Sequence, residues 1–179
     1  MEALTYPDRV NEHHAYPGET ATAAQIRALA SEYRGASRDL LSRGRRGQPG
    51  TWAPARLMAM QAIELELNAF LLSKGMDSTR LRGLQHDLAS RGDLAVAKGL
   101  RLRRKTLEHL HELNRRREYL VTRYGPESMS AWTQINRLLA TLAEVSSKVA
   151  AAVEGQALDR DAAPAPCVRT GPMPVMTAS

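Results

Sequence analysis

The sequence of 179 residues contains few aromatic side chains, which limits what its core can be. Phe, Trp and Tyr together make up 4% of the chain, with a single Phe, so the core must be mostly aliphatic. Isoleucine occurs only at Ile26, Ile63 and Ile135. Strands favour β-branched and aromatic residues, whereas Leu and Ala, which dominate here, favour helices. The composition therefore indicates helices before any periodicity is considered.

Cysteine, long apolar runs and targeting signals are also scarce. The single cysteine, Cys167, excludes a disulfide framework, a paired-cysteine motif and a thiolate zinc site. No stretch is long and apolar enough to span a bilayer, and the N-terminus lacks the basic and apolar regions of a secretory signal. We therefore expect a cytoplasmic protein without a membrane partner. Nothing in the sequence indicates a cofactor or a set of metal ligands.

Positive charge is present in excess. The formal net charge is +6 and the isoelectric point is about 9.9, and most of the excess comes from arginine. The planar guanidinium group suits phosphate and carboxylate, so RNA is a candidate partner. A genomic bias toward Arg and Ala codons is the alternative explanation.

The chain divides into a helical centre and two polar ends. Residues 1–19 and the Pro/Ala-rich tail 156–179 are expected to lack fixed structure, and residues 20–155 to form one helical domain. Apolar residues recur there at helical spacing and nowhere alternate with period two. The predicted helices are residues 22–43, 54–74, 86–98, 104–124 and 127–154. Short connections favour antiparallel neighbours, so the sequence predicts an all-α antiparallel bundle.

Two polar residues interrupt the apolar face of the second predicted helix. Glu64 lies inside that face, and Asn68 follows one helical turn later. A buried carboxylate needs a cation or several donors, because leaving it unpaired costs several kcal/mol. One interpretation is a structural polar pair that binds His86 or an arginine of a neighbouring helix. The other is a carboxylate whose shifted pKa serves catalysis.

The segment from residue 62 to residue 100 resembles the core of the HEPN (higher eukaryotes and prokaryotes nucleotide-binding) superfamily. It reads AIELELNAFLLSKGMDSTRLRGLQHDLASRGDLAVAKGL: an Ala-x-Glu helix, an apolar run to Leu-Leu and Gly, a loop, and His-Asp-Leu. RYGPES at residues 123–128 resembles the Arg-Tyr-Pro that often follows in this superfamily. The resemblance covers residues 50–150. Asn68 departs from the Lys of many relatives, and Gly125 separates Tyr124 from Pro126.

The resemblance implies an up-and-down bundle of four to five helices, commonly a homodimer. Active members cut RNA without a metal by means of an Arg and a His separated by four to six residues, whereas inactive members bind RNA or protein partners. Pairs with about this spacing are Arg80–His86, Arg104–His109, Arg104–His111 and Arg9–His14. In a chain so rich in arginine, this spacing alone identifies no site.

His86 is the best candidate among these histidines. It opens a predicted helix in a His-Asp-Leu step, and Arg80 and Arg82 approach it from the preceding loop. Asp87 would orient the imidazole, or it would cap the helix while His86 packs against Glu64. Catalysis by Arg80 and His86 and a purely structural role for His86 and Asp87 both remain open.

The fourth predicted helix offers weaker candidates. His109 lies at the margin of its apolar face, where a structural role is expected. His111 shares another face with charged residues that would form a solvated stripe of i,i+4 ion pairs; these are Arg104, Glu108, Arg115 and Glu118.

A basic cluster surrounds the start of that helix. Its candidate nucleic-acid-binding residues are Arg101, Arg103, Arg104, Lys105 and Arg115. Clustered arginine with few aromatics suits phosphate contacts more than base stacking, and a solvated surface is the alternative interpretation. Three functions follow: an RNA-associated or partner-binding domain, a metal-independent ribonuclease of toxin or defence type, and a structural adaptor without nucleic acid.

Overall fold

The structure, a computed structural model, describes residues 16–161, with side chains described up to residue 153. The ends predicted to lack structure lie largely outside these limits, as do Arg9, His14 and Cys167. Within them, residues 16–19 form a turn in which the Glu19 amide donates to the Tyr16 carbonyl over 2.9 Å.

Helices form most of the described chain, which confirms the all-α prediction. The α-helices are α1 (Ala23–Leu40), α2 (Ala53–Ser73), α3 (Ser78–Gly83), α4 (Leu88–Ala97), α5 (Arg104–Arg115), α6 (Glu118–Tyr124) and α7 (Ile135–Asp161). Short 3-10 helices span Leu41–Arg43, Pro49–Trp52 and Pro126–Ala131. Residues 16–161 contain no strand, and their only β-type pairing is an isolated bridge between Arg45 and Gln48. Within that range, no helix is both apolar enough and long enough to cross a membrane.

Helix α2 is the centre of the domain. Its residues are apolar on almost every side, as is typical of a helix surrounded by others, and α1, α4, α6 and α7 pack against it. The Ser37 hydroxyl donates to the Ala55 carbonyl at one end, and Arg27 lies 3.9 Å from Glu66 at the other. These contacts show that α1 and α2 run in opposite directions. The apolar surface of α2 is therefore covered within one chain.

Local sequence signals explain where several helices begin. Thr22 caps α1 in a capping box, in which its hydroxyl accepts from the Gln25 amide and the Gln25 side chain accepts from the Thr22 amide. Asp77 and Asp87 cap α3 and α4 by accepting from amides three residues later. Helix α3 was not predicted, because its six residues are too few to show a helical period.

The predicted helix 104–124 is wrong as one continuous helix. It breaks after Arg115, because Arg117 adopts a left-handed backbone conformation with φ of 52°. The break turns Glu118 inward, so that only 1% of it is exposed and it pairs with Arg56. Glu118 is therefore not part of a solvated stripe. The predicted helix 127–154 also differs: residues 126–131 are 3-10, and α7 spans residues 135–161.

Candidate functional site around His86

His86 lies in the short turn that joins α3 to α4. The turn is tight because Gln85 adopts a left-handed conformation with φ of 47°, which is uncommon for a residue with a side chain. Asp87 then caps α4, accepting hydrogen bonds from the Ser90 amide and hydroxyl. Burial acts to raise the pKa of Asp87, but the hydrogen bonds from Ser90 hold it below its ordinary value. The carboxylate of Asp87 is thus engaged in helix capping.

The His86 imidazole is held by the carboxylate of Glu64 on α2. Its Nδ1 lies 3.1 Å from Glu64 Oε2, and the opposite oxygen accepts from Arg91 over 3.4 Å. Asn68 accepts from Arg91 Nε over 2.8 Å. Because a carboxylate can only accept, Nδ1 carries the hydrogen of this contact and Nε2 is available as an acceptor when the ring is neutral.

Arg91 supports this arrangement from inside the protein. Its side chain is 2% exposed and also donates to the carbonyls of Leu81, Leu84 and Asp87. Burial lowers the pKa of Arg91, while the nearby carboxylates of Glu64 and Asp87 oppose this effect. Arg91 therefore fixes the turn that carries His86 and the carboxylate that binds it.

The outer face of the imidazole packs on an aromatic ring. The His86 and Tyr119 rings are stacked with their centroids 3.8 Å apart and their planes inclined by 22°. The guanidinium carbon of Arg123 also lies over the Tyr119 ring, 5.3 Å from its centroid. Burial raises the pKa of Tyr119. Even so, 44% of the His86 side chain remains exposed, so solvent and ligands can reach it.

His86 forms part of the wall between two cavities. The smaller, about 230 Å³, is mainly apolar, and its polar lining residues include Asn114, Arg117 and Tyr119. The larger, about 520 Å³, is lined by Glu64, Asn68, Arg82 and Arg91 among others. Gln85 and Arg117, the two non-glycine residues with positive φ in the described part of the chain, both line the smaller cavity. Strained backbone of this kind is concentrated at functional sites.

Of the two residues proposed as a catalytic pair, only His86 lies at this site. Arg80 is exposed on α3 and lines neither cavity. The arginines that share the larger cavity with His86 are the buried Arg91 and the more exposed Arg82, and Arg82 lies 3.9 Å from Glu19 and over the Tyr16 ring. Arg117 lines the smaller cavity with His86.

The other two histidines in the described part of the chain, His109 and His111, are not paired with Arg104, which binds Glu108. His109 is fully buried and bonded to the hydroxyls of Thr141 and Thr133 over 2.7 and 3.2 Å. Burial, with a contribution from Arg137, lowers the pKa of His109 to about 4. His111 is exposed and lies 2.9 Å from Asp93 on α4.

The predicted basic cluster is divided by ion pairs. Arg103 binds Glu144 of α7 through its amide and its guanidinium group, and Arg104 binds Glu108 over 2.7 Å on the helix surface. Burial acts to raise the pKa of Glu144, but the hydrogen bonds from Arg103 and Thr106 hold it below its ordinary value. Arg101, Lys105 and Arg115 are exposed. Three members of the cluster, together with Arg137, line a groove of about 410 Å³ between α5 and α7.

Arg82 was predicted to approach His86 and lines the larger cavity beside it, whereas the sequence pattern does not identify Arg91, Arg117 and Tyr119 as residues of this site. The pattern of the helices gives no sign of Tyr119, because the break that turns it toward His86 lies in a run of arginines without Gly or Pro. Among the described side chains, no group of three His, Cys, Asp or Glu residues is arranged to hold a metal ion. Comparison with models of known protein families, with curated proteins and with solved structures finds no match.

Proposed function

We propose that the chain is a HEPN-like helical bundle that binds single-stranded RNA at the His86 site. The observation that carries this proposal is the half-exposed imidazole between two cavities, fixed by the buried Glu64–Arg91 pair. Arg82 lines one of these cavities and Arg117 the other. Two guanidinium groups near one imidazole suit the phosphates of an RNA backbone.

The proposal includes the exposed residues of the predicted basic cluster as further RNA contacts. Helix α5 has 12 residues and is therefore about 18 Å long, with Arg115 and the small cavity near its end and Lys105 at its start. A strand of a few nucleotides reaches from one end to the other. Arg101, Lys105 and Arg115 supply phosphate contacts along this path. Arg103 and Arg104 contribute less, because Glu144 and Glu108 already neutralise them.

Cleavage of the bound RNA is the second candidate function, favoured by the Glu64–His86 contact. With Nδ1–H directed at Glu64, Nε2 is placed to take the proton of a ribose 2′-hydroxyl as its oxygen attacks the adjacent phosphorus. The bond from phosphorus to the 5′-oxygen then breaks, and that oxygen takes up a proton, leaving a 2′,3′-cyclic phosphate and a 5′-hydroxyl. Arg82 or Arg117 would stabilise the charge on the phosphorus-bound oxygens.

The test measures binding of labelled single-stranded RNA over a series of salt concentrations. We expect Arg82→Ala with Arg117→Ala to weaken binding at least about tenfold and to lower the salt slope by roughly 0.7 per lost phosphate contact. The control, Arg38→Ala with Lys148→Ala, removes the same charge from exposed positions on α1 and α7 and should bind like the wild type. Equal weakening by both variants would contradict a site at His86. Absence of salt-sensitive binding would favour the structural adaptor.

Incubation of the same RNA in EDTA distinguishes binding from cleavage. If His86 is catalytic, His86→Ala keeps RNA binding but loses the cyclic phosphate product, while His111→Ala still cleaves. If wild type binds RNA and cleaves none of it, the function is binding alone. Light scattering on the same samples at micromolar concentration gives the oligomeric state, which the HEPN-like proposal predicts to be a homodimer.

A further inference from the structure

A third cavity lies between the loop that follows α1 and the start of α7. Its volume is about 540 Å³, within the range of small-molecule sites, and it shares no lining residue with the two cavities beside His86. Trp52 and Trp132, the two tryptophans of the whole sequence, both stand in its wall. A flat apolar surface is therefore concentrated at one place in a protein that has few aromatic residues.

The charge of this cavity is positive. Arg45, Arg46 and Arg56 line it, and no Asp or Glu does. Arg56 is neutralised from behind by Glu118, whereas Arg45 and Arg46 are exposed and form no ion pair with any side chain that the structure describes. The first turn of α7, with Ile135 and Asn136, also faces the cavity, and the start of a helix favours negative charge.

Two hydrogen-bond donors in the wall lack acceptors. The Arg56 side chain is 2% exposed and lies over the Trp132 ring at 4.9 Å from its centroid. Neither Arg56 Nε nor Trp132 Nε1 has a hydrogen-bond partner among the residues that the structure describes. Buried donors are almost always satisfied. A ligand oxygen reached by a small rotation of the half-buried Trp132 indole would supply the missing acceptor.

The side chains of Thr51 and Trp52 hold the backbone of the loop that carries Arg45 and Arg46. The Arg45 amide donates to the Thr51 hydroxyl over 2.8 Å, and its carbonyl accepts from Trp52 Nε1 over 3.3 Å. Gly44 lies so close to the Trp52 ring that a Cβ atom there would be 2.3 Å from it, so only glycine fits. The two arginine side chains take no part in these contacts, which leaves them available to a ligand.

We propose that this cavity binds a small organic anion that carries a flat ring. The phosphate or carboxylate of the ligand contacts Arg45 and Arg46, and its ring packs against the indoles of Trp52 and Trp132. The site is separate from the proposed RNA site and does not depend on that proposal.

Tryptophan fluorescence tests the proposal directly, because both reporters line the cavity. Titration of the full chain with phenyl phosphate is expected to give a saturable change in emission. The double substitution of Arg45 and Arg46 by alanine should raise the apparent Kd about tenfold or more, because charge-assisted hydrogen bonds to the ligand are lost. The loop contacts of Arg45 use backbone atoms, so the variant should fold, which circular dichroism verifies.

The control variant is Arg38→Ala with Lys148→Ala, which removes two positive charges elsewhere and should bind phenyl phosphate like the wild type. Inorganic phosphate and benzyl alcohol should each bind at least about tenfold more weakly than phenyl phosphate, because each lacks one half of the proposed contacts. The proposal is overturned by an unsaturable response of the wild type, by equal weakening in both variants, or by equally tight binding of either half-ligand.

Discussion

Buried arginine–carboxylate pairs connect individual residues to the geometry of the site. Arg91 holds Glu64, which binds His86, and Arg56 holds Glu118 at the break between α5 and α6. Arg56 also donates to the Thr133 carbonyl over 2.8 Å. Each pair fixes a turn rather than a helix interior. Removing one partner would leave a buried charge uncompensated, a loss of roughly 3 to 5 kcal/mol.

His109 leads to a prediction about acid stability. Its pKa is about 4 in the folded protein, below the value of about 6.5 expected in an unfolded chain. Between these values the unfolded chain binds a proton that the folded protein does not, so stability falls as the pH is lowered from about 6.5 toward 4. At pH 4.5 we expect a loss on the order of 2 to 3 kcal/mol relative to neutral pH from this residue alone.

Urea unfolding at neutral pH and at pH 4.5 measures this loss in the wild type and in His109→Gln. Carboxylates such as Glu144 also titrate at acid pH, so the difference between the two proteins isolates the histidine. His111→Gln is the matched control, because His111 lies on the same helix but is exposed. An unchanged pH dependence in His109→Gln would show that His109 is not buried in its neutral form.

At the scale of helices, the sequence predicts a helix well where a capping residue, a proline or a glycine marks its end. Thr22 with Gln25 begins α1, and Pro54 and Gly75 bracket α2. The break at Arg117 has no such mark, since arginine is a good helix former. Glu118 is buried by its ion pair with Arg56, which lies far from it in the sequence. Sequence reasoning therefore found Glu64, Asn68 and His86 by their pattern, but not Tyr119 or Arg91, which depend on tertiary packing.

The left-handed conformation of Arg117 makes a testable prediction about the α5–α6 joint. A left-handed backbone conformation costs a non-glycine residue roughly 1 to 2 kcal/mol of folding free energy, and glycine avoids this cost. Glycine also has more conformational freedom in the unfolded chain, which cancels about half of the gain. Arg117→Gly should therefore leave the free energy of unfolding unchanged or raise it by up to about 1 kcal/mol. Arg115→Gly, in the helical last turn of α5, should lower it by about 1 kcal/mol.

Chemical denaturation of the two glycine variants under the same conditions checks this difference. Both remove one exposed positive charge, so electrostatic effects largely cancel. Equal destabilisation by the two substitutions would mean that α5 continues through Arg117 in solution.

At the scale of the whole molecule, stability is concentrated in α2. That helix contacts α1, α4, α6 and α7, and its side chains make up much of the buried core. The His86 site, in contrast, is built from peripheral elements. Arg82 lies in α3 and His86 in the turn that follows it, whereas Arg117 lies just before α6 and Tyr119 within it. Helices α3 and α6 have six and seven residues, too few to be stable without packing.

We therefore expect hydrogen exchange to separate the two regions. Amides of α2 should exchange only through global unfolding, with an opening free energy equal to that from denaturant titration, whereas amides of α3 and α6 should open locally at lower cost. Mass spectrometry of the native protein measures both sets at once. If α6 exchanges as slowly as α2, the joint at Arg117 is rigid and the site is preformed. Faster exchange in α6, slowed by added RNA, would show that the ligand orders the helix carrying Tyr119, which stacks on His86.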